Sequence, residues 1–493
     1  MTSLKMSKAN SKLAVFLVGS TVLFALTGYG MSQTLGSDDD GFENAIRGSI
    51  GDTNQPLVLG TDDSGETVQP VLETGQTLQP GRRATSVTPQ RQVGSTDGET
   101  RSNIAAEQVQ TGVQPADLDD PFAPEGFRLG TFEGNITLEQ TLGYSSNVSQ
   151  NVDGEGGAFS QTDVTIGLTS DWSRHQLQTN INGNYRRPFD SEEVDQLNFA
   201  LESALRLDLI DGYTLTATGL YDMQTQAFTS STLAAGAVDT PINQSFGGEL
   251  ELERTGHKLQ LTLRGAIERN ILEDADLGLG GFQSQSDRDN VEYEVSTRVG
   301  YEVSPAIVPF IEGIYGIRDF DETFDRNGNQ RSGDFAELRG GLSFDLGPKL
   351  VGEVSAGYVV ETFDDPTLTD LTGFTLNGQL DWSPEEDTIV SLALGTETND
   401  SISLNDNGSI IYNGRLDYQR QINDRLSFDA FGSMSVETNA ENNLITQVGM
   451  GLDYWVNRFM ALTVDVEYFQ FSSDAINSDF DDVNGRIGIR LQK

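Results

Sequence analysis

Cysteine is absent from the 493 residues. That excludes a disulfide framework, thiolate chemistry and a lipoprotein anchor, which needs a Cys to carry its acyl chains. Histidine is nearly absent: His175 and His257 both lie where the chain reads as a short turn. They read as polar turn residues rather than as a catalytic base or a ligand. Basic charge is scarce, with 31 Lys and Arg against 75 Asp and Glu, a formal net charge of −44. Such a balance argues against nucleic acid or anionic lipid as a direct partner, because both are polyanions. Past the N-terminus, long apolar runs are missing as well, and mean hydropathy is −0.36. A bundle of membrane helices is therefore excluded. Membrane-spanning strands are not, since only every second strand residue needs to face lipid.

What is present begins with Lys5, Lys8 and Lys12 ahead of the apolar run Leu13 to Leu26. Thr27, Gly28 and Gly30 follow, which completes the order of a secretory signal peptide over residues 1–31. The run is shorter than the ~20 residues that a helical span requires. Residues 32–126 show no sustained period and are rich in Gln, Thr, Gly, Asp and Pro. That composition buries too little apolar surface to offset the entropy of ordering, so the segment reads as a disordered acidic extension in the periplasm.

From residue 127 to 493 the pattern changes to strict alternation. Leu426, Phe428, Ala430, Gly432, Met434 and Val436 fall on every second residue, with Ser427, Asp429, Phe431, Ser433 and Ser435 between them. After a short polar loop the period resumes from Leu444 to Tyr454. A period of two gives one apolar and one polar face, and each run is long enough to cross an outer membrane, which takes about 9–11 residues. Runs of this kind recur about 18 times, with 16–20 as the range left by one miscounted hairpin. The fold class expected is all-β: a transmembrane antiparallel up-and-down β-barrel preceded by the extension.

The connections sort by length. Ser173 to His175, Ser304-Pro305 and Asn423-Asp424 are short, while 145–160, 224–244 and 269–288 are long, and the two kinds alternate. Short periplasmic turns alternating with long external loops characterise outer-membrane barrels, whereas a β-sandwich has no reason to sort its loops. The three Trp residues, Trp172, Trp382 and Trp455, each precede a short turn, with Tyr213, Tyr301, Tyr418 and Tyr454 at the same level. These seven are read as an aromatic girdle at the periplasmic interface.

The same parity assigns an inward face. Glu202, Arg206, Glu251, Glu253, Arg264, Glu268, Glu294, Arg298, Glu337, Arg339, Arg415 and Asp417 are expected to line the pore. Residues 127–493 hold 23 bases and 59 acids. Arg opposite acids can create a transverse field or form neutral ladders along the wall, and both readings stand; the acid excess favours cations over anions. Inward aromatics are few: Phe310, Phe335, Phe431 and Phe469. Two long loops contain apolar stretches, 233–238 and Leu277 to Phe282, and at least one is expected to fold into the pore. The loop Asp325 to Asn329 resembles a calcium loop only superficially, since Ala336 stands where a bidentate Glu belongs.

Two stretches carry a family resemblance: Asp120-Pro121-Phe122-Ala123-Pro124-Glu125-Gly126-Phe127-Arg128-Leu129-Gly130 and Gly143-Tyr144-Ser145-Ser146-Asn147-Val148. Together they resemble the outer-membrane β-barrel porin 2 family of proteobacteria, over residues 120–493. Members often accompany exopolysaccharide-production systems, so the resemblance implies an outer-membrane channel, with polysaccharide as one candidate cargo. The chain ends Arg490-Leu491-Gln492-Lys493, without the terminal aromatic residue of many barrels.

The expected function is a porin-like channel in the outer membrane of a Gram-negative bacterium, passing small cationic or neutral solutes, with a link to exopolysaccharide export as a further element. The alternative is a structural envelope barrel with a plugged pore, acting through its extension and acidic loops. No enzyme activity, cofactor or metal is expected. Partners expected are outer-membrane lipid and lipopolysaccharide, with polysaccharide or a periplasmic partner of residues 32–126 as further candidates, and no nucleic acid.

Overall fold

The computed structural model describes residue 122 and residues 124–493, apart from 151, 153, 190–194, 211, 227–239, 256–257, 386, 400–407, 439–441 and 475–477. The expected signal peptide, nearly all of the expected extension, His257 and the apolar stretch 233–238 lie outside the described residues.

Eighteen long antiparallel strands run from Phe132–Ser145 to Phe480–Gln492, and each of the eighteen alternating runs read from the sequence falls on one of them. Every strand pairs with its neighbours in the chain, and the sheet closes on itself. At the seam the first strand pairs with the last, from Thr137 opposite Gln492 to Ser145 opposite Asn484. Ile136 and Lys493 add two backbone bonds, Ile136 N–H to Lys493 O at 3.1 Å and Lys493 N–H to Ile136 O at 3.0 Å. Closure matters because lipid offers no partner for an open strand edge. Among the described residues there is no α-helix, only three single-turn 3-10 segments.

Between successive barrel strands the connections at one end span two to five residues, and those at the other four to seventeen. The strand Phe127–Leu129 folds back onto the first barrel strand, with Phe127 opposite Gly134. The turn between them uses Gly130 at φ +64°, a left-handed conformation that costs other residues more.

The two faces separate as the period requires. On the strand Ile242–Arg254, Leu250 and Leu252 are exposed on the outer surface, while Glu251 between them is buried on the inner one. On Ile307–Phe320, Ile311, Tyr315 and Ile317 face out, and Phe310, Glu312, Ile314 and Arg318 face in. Among the described residues there is no apolar core in the usual sense; the buried positions are mostly polar or charged side chains of the inner wall.

Of the seven expected interface aromatics, Trp172, Tyr301, Trp382 and Tyr454 are exposed outside, and Tyr213 and Tyr418 are half-buried. Trp455 corrects the expectation. It is 6% exposed and stacks on Phe122, ring centroids 6.5 Å apart, beside the buried Ala461. Tyr454 and Trp455 are consecutive in one strand, so only one of them can face lipid, and Tyr454 does. The Phe122 carbonyl also accepts a 2.7 Å bond from Gln492 Nε2. Packing against the inner wall thus begins upstream of residue 127, the boundary read from periodicity.

Candidate functional site

The inner wall is the candidate site, and its charges are organised strand by strand. Arg298 holds Glu312 at 2.8 Å and Glu353 at 2.9 Å, and Arg339 reaches the same Glu312 at 2.9 Å. Arg318 bridges Glu292 and Glu361, both at 3.2 Å. Arg264 pairs with Glu294 and lies 3.7 Å from Glu249. Farther round, Arg415 holds Asp417 at 2.7 Å, and Arg490 links Glu139 with Asp453. Apart from Arg415–Asp417, which lies within the strand Ser409–Asn423, these pairs run along the wall between near-neighbour strands, which is the ladder arrangement. A guanidinium fork suits it, because it can serve two carboxylates at once.

Of the twelve residues expected to line the pore, Arg264, Glu294, Arg298, Arg339, Arg415 and Asp417 sit in these ladders. Glu337 is buried and accepts a 2.6 Å bond from Thr375 Oγ1. Arg206 pairs with Asp208 at 2.9 Å on a half-buried strand, where Glu202 lies opposite Asn180. Glu268 stands opposite Glu292. Glu251 and Glu253 share one face of Ile242–Arg254 with Glu249.

Sequence reading missed Glu312, Arg318, Glu361 and Arg186. Parity from Phe310 would have found Glu312 and Arg318, since both are an even number of residues away. Arg186 is buried with its guanidinium 3.9 Å above the Phe159 ring, and nothing in its polar surroundings signals that. The same stacking recurs for Arg298 over Phe310 at 4.0 Å and Arg415 over Phe431 at 4.1 Å.

The long-loop end is packed by ion pairs. Arg326 binds Asp287 through two nitrogens at 2.8 and 2.7 Å, and Arg331 binds Asp325 at 2.6 Å. Asp325 also accepts the Asn327 and Asn329 amides, so its carboxylate closes a turn. Burial pushes the Asp287 carboxyl up, but the hydrogen bonds and charge of Arg326 overcome it and hold it below the usual range. Asp325 is held low in the same way against its burial, chiefly by Arg331 and the turn amides. The stretch Leu277 to Phe282, expected to narrow the pore, forms the tip of a small hairpin between Ala275–Asp276 and Phe282–Gln283. Phe282 is 71% exposed, and the contacts that brace this loop go to Glu322 and Arg326 of the next long loop. Among the described residues no cluster of His, Asp and Glu has the geometry to hold a metal ion.

A closed antiparallel barrel with an apolar exterior and a charged interior defines a porin-like protein of the outer membrane. The match to a family profile over residues 120–493 makes the assignment specific: the chain belongs to the family described as "Putative beta-barrel porin 2". No curated protein sequence matches it. Among solved structures it is similar to the copper transporter OprC, at 9% identity and TM-score 0.42, covering 75% of this chain and 82% of that one. It is also similar to OccK2 (OpdF) of Pseudomonas aeruginosa, at 11% identity and TM-score 0.38, covering 74% and 98%. A third is the FrpB iron transporter of Neisseria meningitidis (F5-1 variant), at 7% identity and TM-score 0.37, covering 75% and 83%.

Proposed function

We propose that the protein is a passive outer-membrane channel that admits small cationic or neutral solutes in preference to anions. One observation carries this reading. Most of the inner-wall guanidiniums described above are engaged by carboxylates in ladders, whereas acids outnumber bases by 59 to 23 over residues 127–493, so the uncompensated charge of the barrel is negative. An acid-lined wall raises local cation concentration and repels anions. Barrels of 16–18 strands leave an aqueous channel, which supplies the path. The twelve inner-wall residues, from Glu202 to Asp417, then act as its lining. The short-turn end faces the periplasm in this reading, with lipopolysaccharide and lipid around the barrel. The test is single-channel recording in planar bilayers under a KCl gradient. A reversal potential of the sign for K+ preference supports the proposal; an anion-selective pore, or no conductance, overturns it.

A second reading, a plugged barrel acting through its extension, draws on Phe122, which docks on inward-facing Trp455 rather than on the outer rim. Conductance in planar bilayers separates the two: an open barrel carries current, a plugged one does not. A role in polysaccharide export rests on the family resemblance. Against it, Phe159, Phe310 and Phe431 each carry an Arg over one ring face and so offer less surface for sugar stacking. A deletion strain that secretes normal polysaccharide would remove that role.

A further inference from the structure

Glu251 is an inner-wall carboxylate crowded by like charges on its own strand. Its side chain is 7% exposed, and its Oε2 atom is sealed from solvent with no hydrogen-bond partner. Its neighbours on the same face are carboxylates, Glu249 on one side and Glu253 on the other. The guanidinium opposite Glu251 belongs to Arg264, and that guanidinium is engaged by Glu294 and approached by Glu249. On the other flank Glu251 faces Thr216, and Glu253 faces Thr214. Cross-strand partners project to the same side of the sheet, so the threonine hydroxyls border the carboxylates. A buried carboxylate beside like charges is costly unless a cation meets it.

We infer that Glu251 and Glu253, with Thr214 and Thr216, form a station on the channel wall for solutes bearing ammonium groups, with aliphatic di- and polyamines as the class. The inference rests on the proposed channel reading and names its substrate. Two features suit an ammonium chain. Same-face residues two apart on a strand have backbones about 7 Å apart, comparable to the charge separation along an extended diamine. An ammonium group also donates hydrogen bonds to carboxylate and hydroxyl oxygens, which are the acceptors present here.

The test uses the full-length protein with spermidine as the probe. Spermidine added to one side of a planar bilayer is expected to block K+ current. In Glu251→Gln the half-blocking concentration should rise at least about tenfold, and in the Glu251→Gln/Glu253→Gln double variant further still. Asp365→Asn, on a long loop away from the barrel wall, should behave as the wild type. Both Gln substitutions keep side-chain shape, and heat-modifiable gel migration confirms folding. Titration of spermidine into detergent-solubilised protein reads binding without conductance. Binding lost in Glu251→Gln supports the station even if the wild type carries no current, which would overturn the channel reading alone. Unchanged block together with unchanged binding in the variants overturns the station.

Discussion

Phe431 lies directly opposite Gly449 across neighbouring strands, with its ring against the bare glycine backbone. A Cβ on Gly449 would come within 2.2 Å of a ring carbon. Arg415 covers the ring with its centroid 4.1 Å away, so the aromatic is sandwiched on the inner wall. The pairing recurs with Phe310 opposite Gly341, Phe335 opposite Gly316 and Phe159 opposite Gly143. Glycine opposite phenylalanine lets a large ring lie flat against the wall and shields backbone that would otherwise be bare.

Gly449→Val is therefore expected to destabilise the barrel by about 1–3 kcal/mol through overpacking. The midpoint of heat-modifiable migration should fall. Phe431→Ala on its own should also lower the midpoint, and adding it to Gly449→Val should recover part of the loss due to Val, because the clash is then gone. A double variant whose loss is the sum of the two would contradict the sandwich.

Glu312 is shared by two guanidiniums, Arg298 and Arg339, and is 2% exposed. Glu312→Gln gives both a neutral partner at that position, with Glu353 still paired to Arg298. Breaking a buried pair from one side costs about 3–5 kcal/mol, a value that lumen water will reduce. Unfolding in urea should shift to lower concentration, and by more than for Arg128→Gln, whose partners Glu133 and Asp171 lie in solvent.

The loop pairs Asp287–Arg326 and Asp325–Arg331 predict acid sensitivity at the long-loop end. Both carboxyls are held below the ordinary Asp value, about 3.9 in an unfolded chain. A depressed folded value means that the stabilisation is present above that pH and is lost as pH falls through the lower, folded one. Amide exchange in residues 321–332, corrected for intrinsic rate, should be protected at pH 6 and progressively less so below about pH 4. Protection that rises on acidification would contradict the assignment.

Trp455→Ala should free Phe122 from the wall. Protease cleavage near residues 122–130 is expected to quicken by about tenfold, which corresponds to about 1.4 kcal/mol of lost docking. Barrel migration on gels should stay close to that of the wild type, because the eighteen-strand ladder is untouched.

Much of this was legible in the chain. Alternation marks each strand by itself, because the side-chain period of two is local and lipid on one side leaves few exceptions, so all eighteen runs could be found. The sorting of loop lengths likewise follows from the two ends of a barrel having different surroundings. Parity also placed Glu251 and Arg298 on the inner face. The fate of Trp455 was harder: its position before a short turn resembled that of Trp172 and Trp382, and only its phase relative to Tyr454 told it apart.

The sequence by itself determined the strand number to within one hairpin, the two faces and the excess of acids, since each depends on neighbours within a few residues. Partnership was decided by tertiary structure alone. Which arginine answers which carboxylate and which phenylalanine meets a glycine depend on register between strands distant in the chain. Register is a property of the closed ladder, and one residue of slip would turn every side chain to the other face.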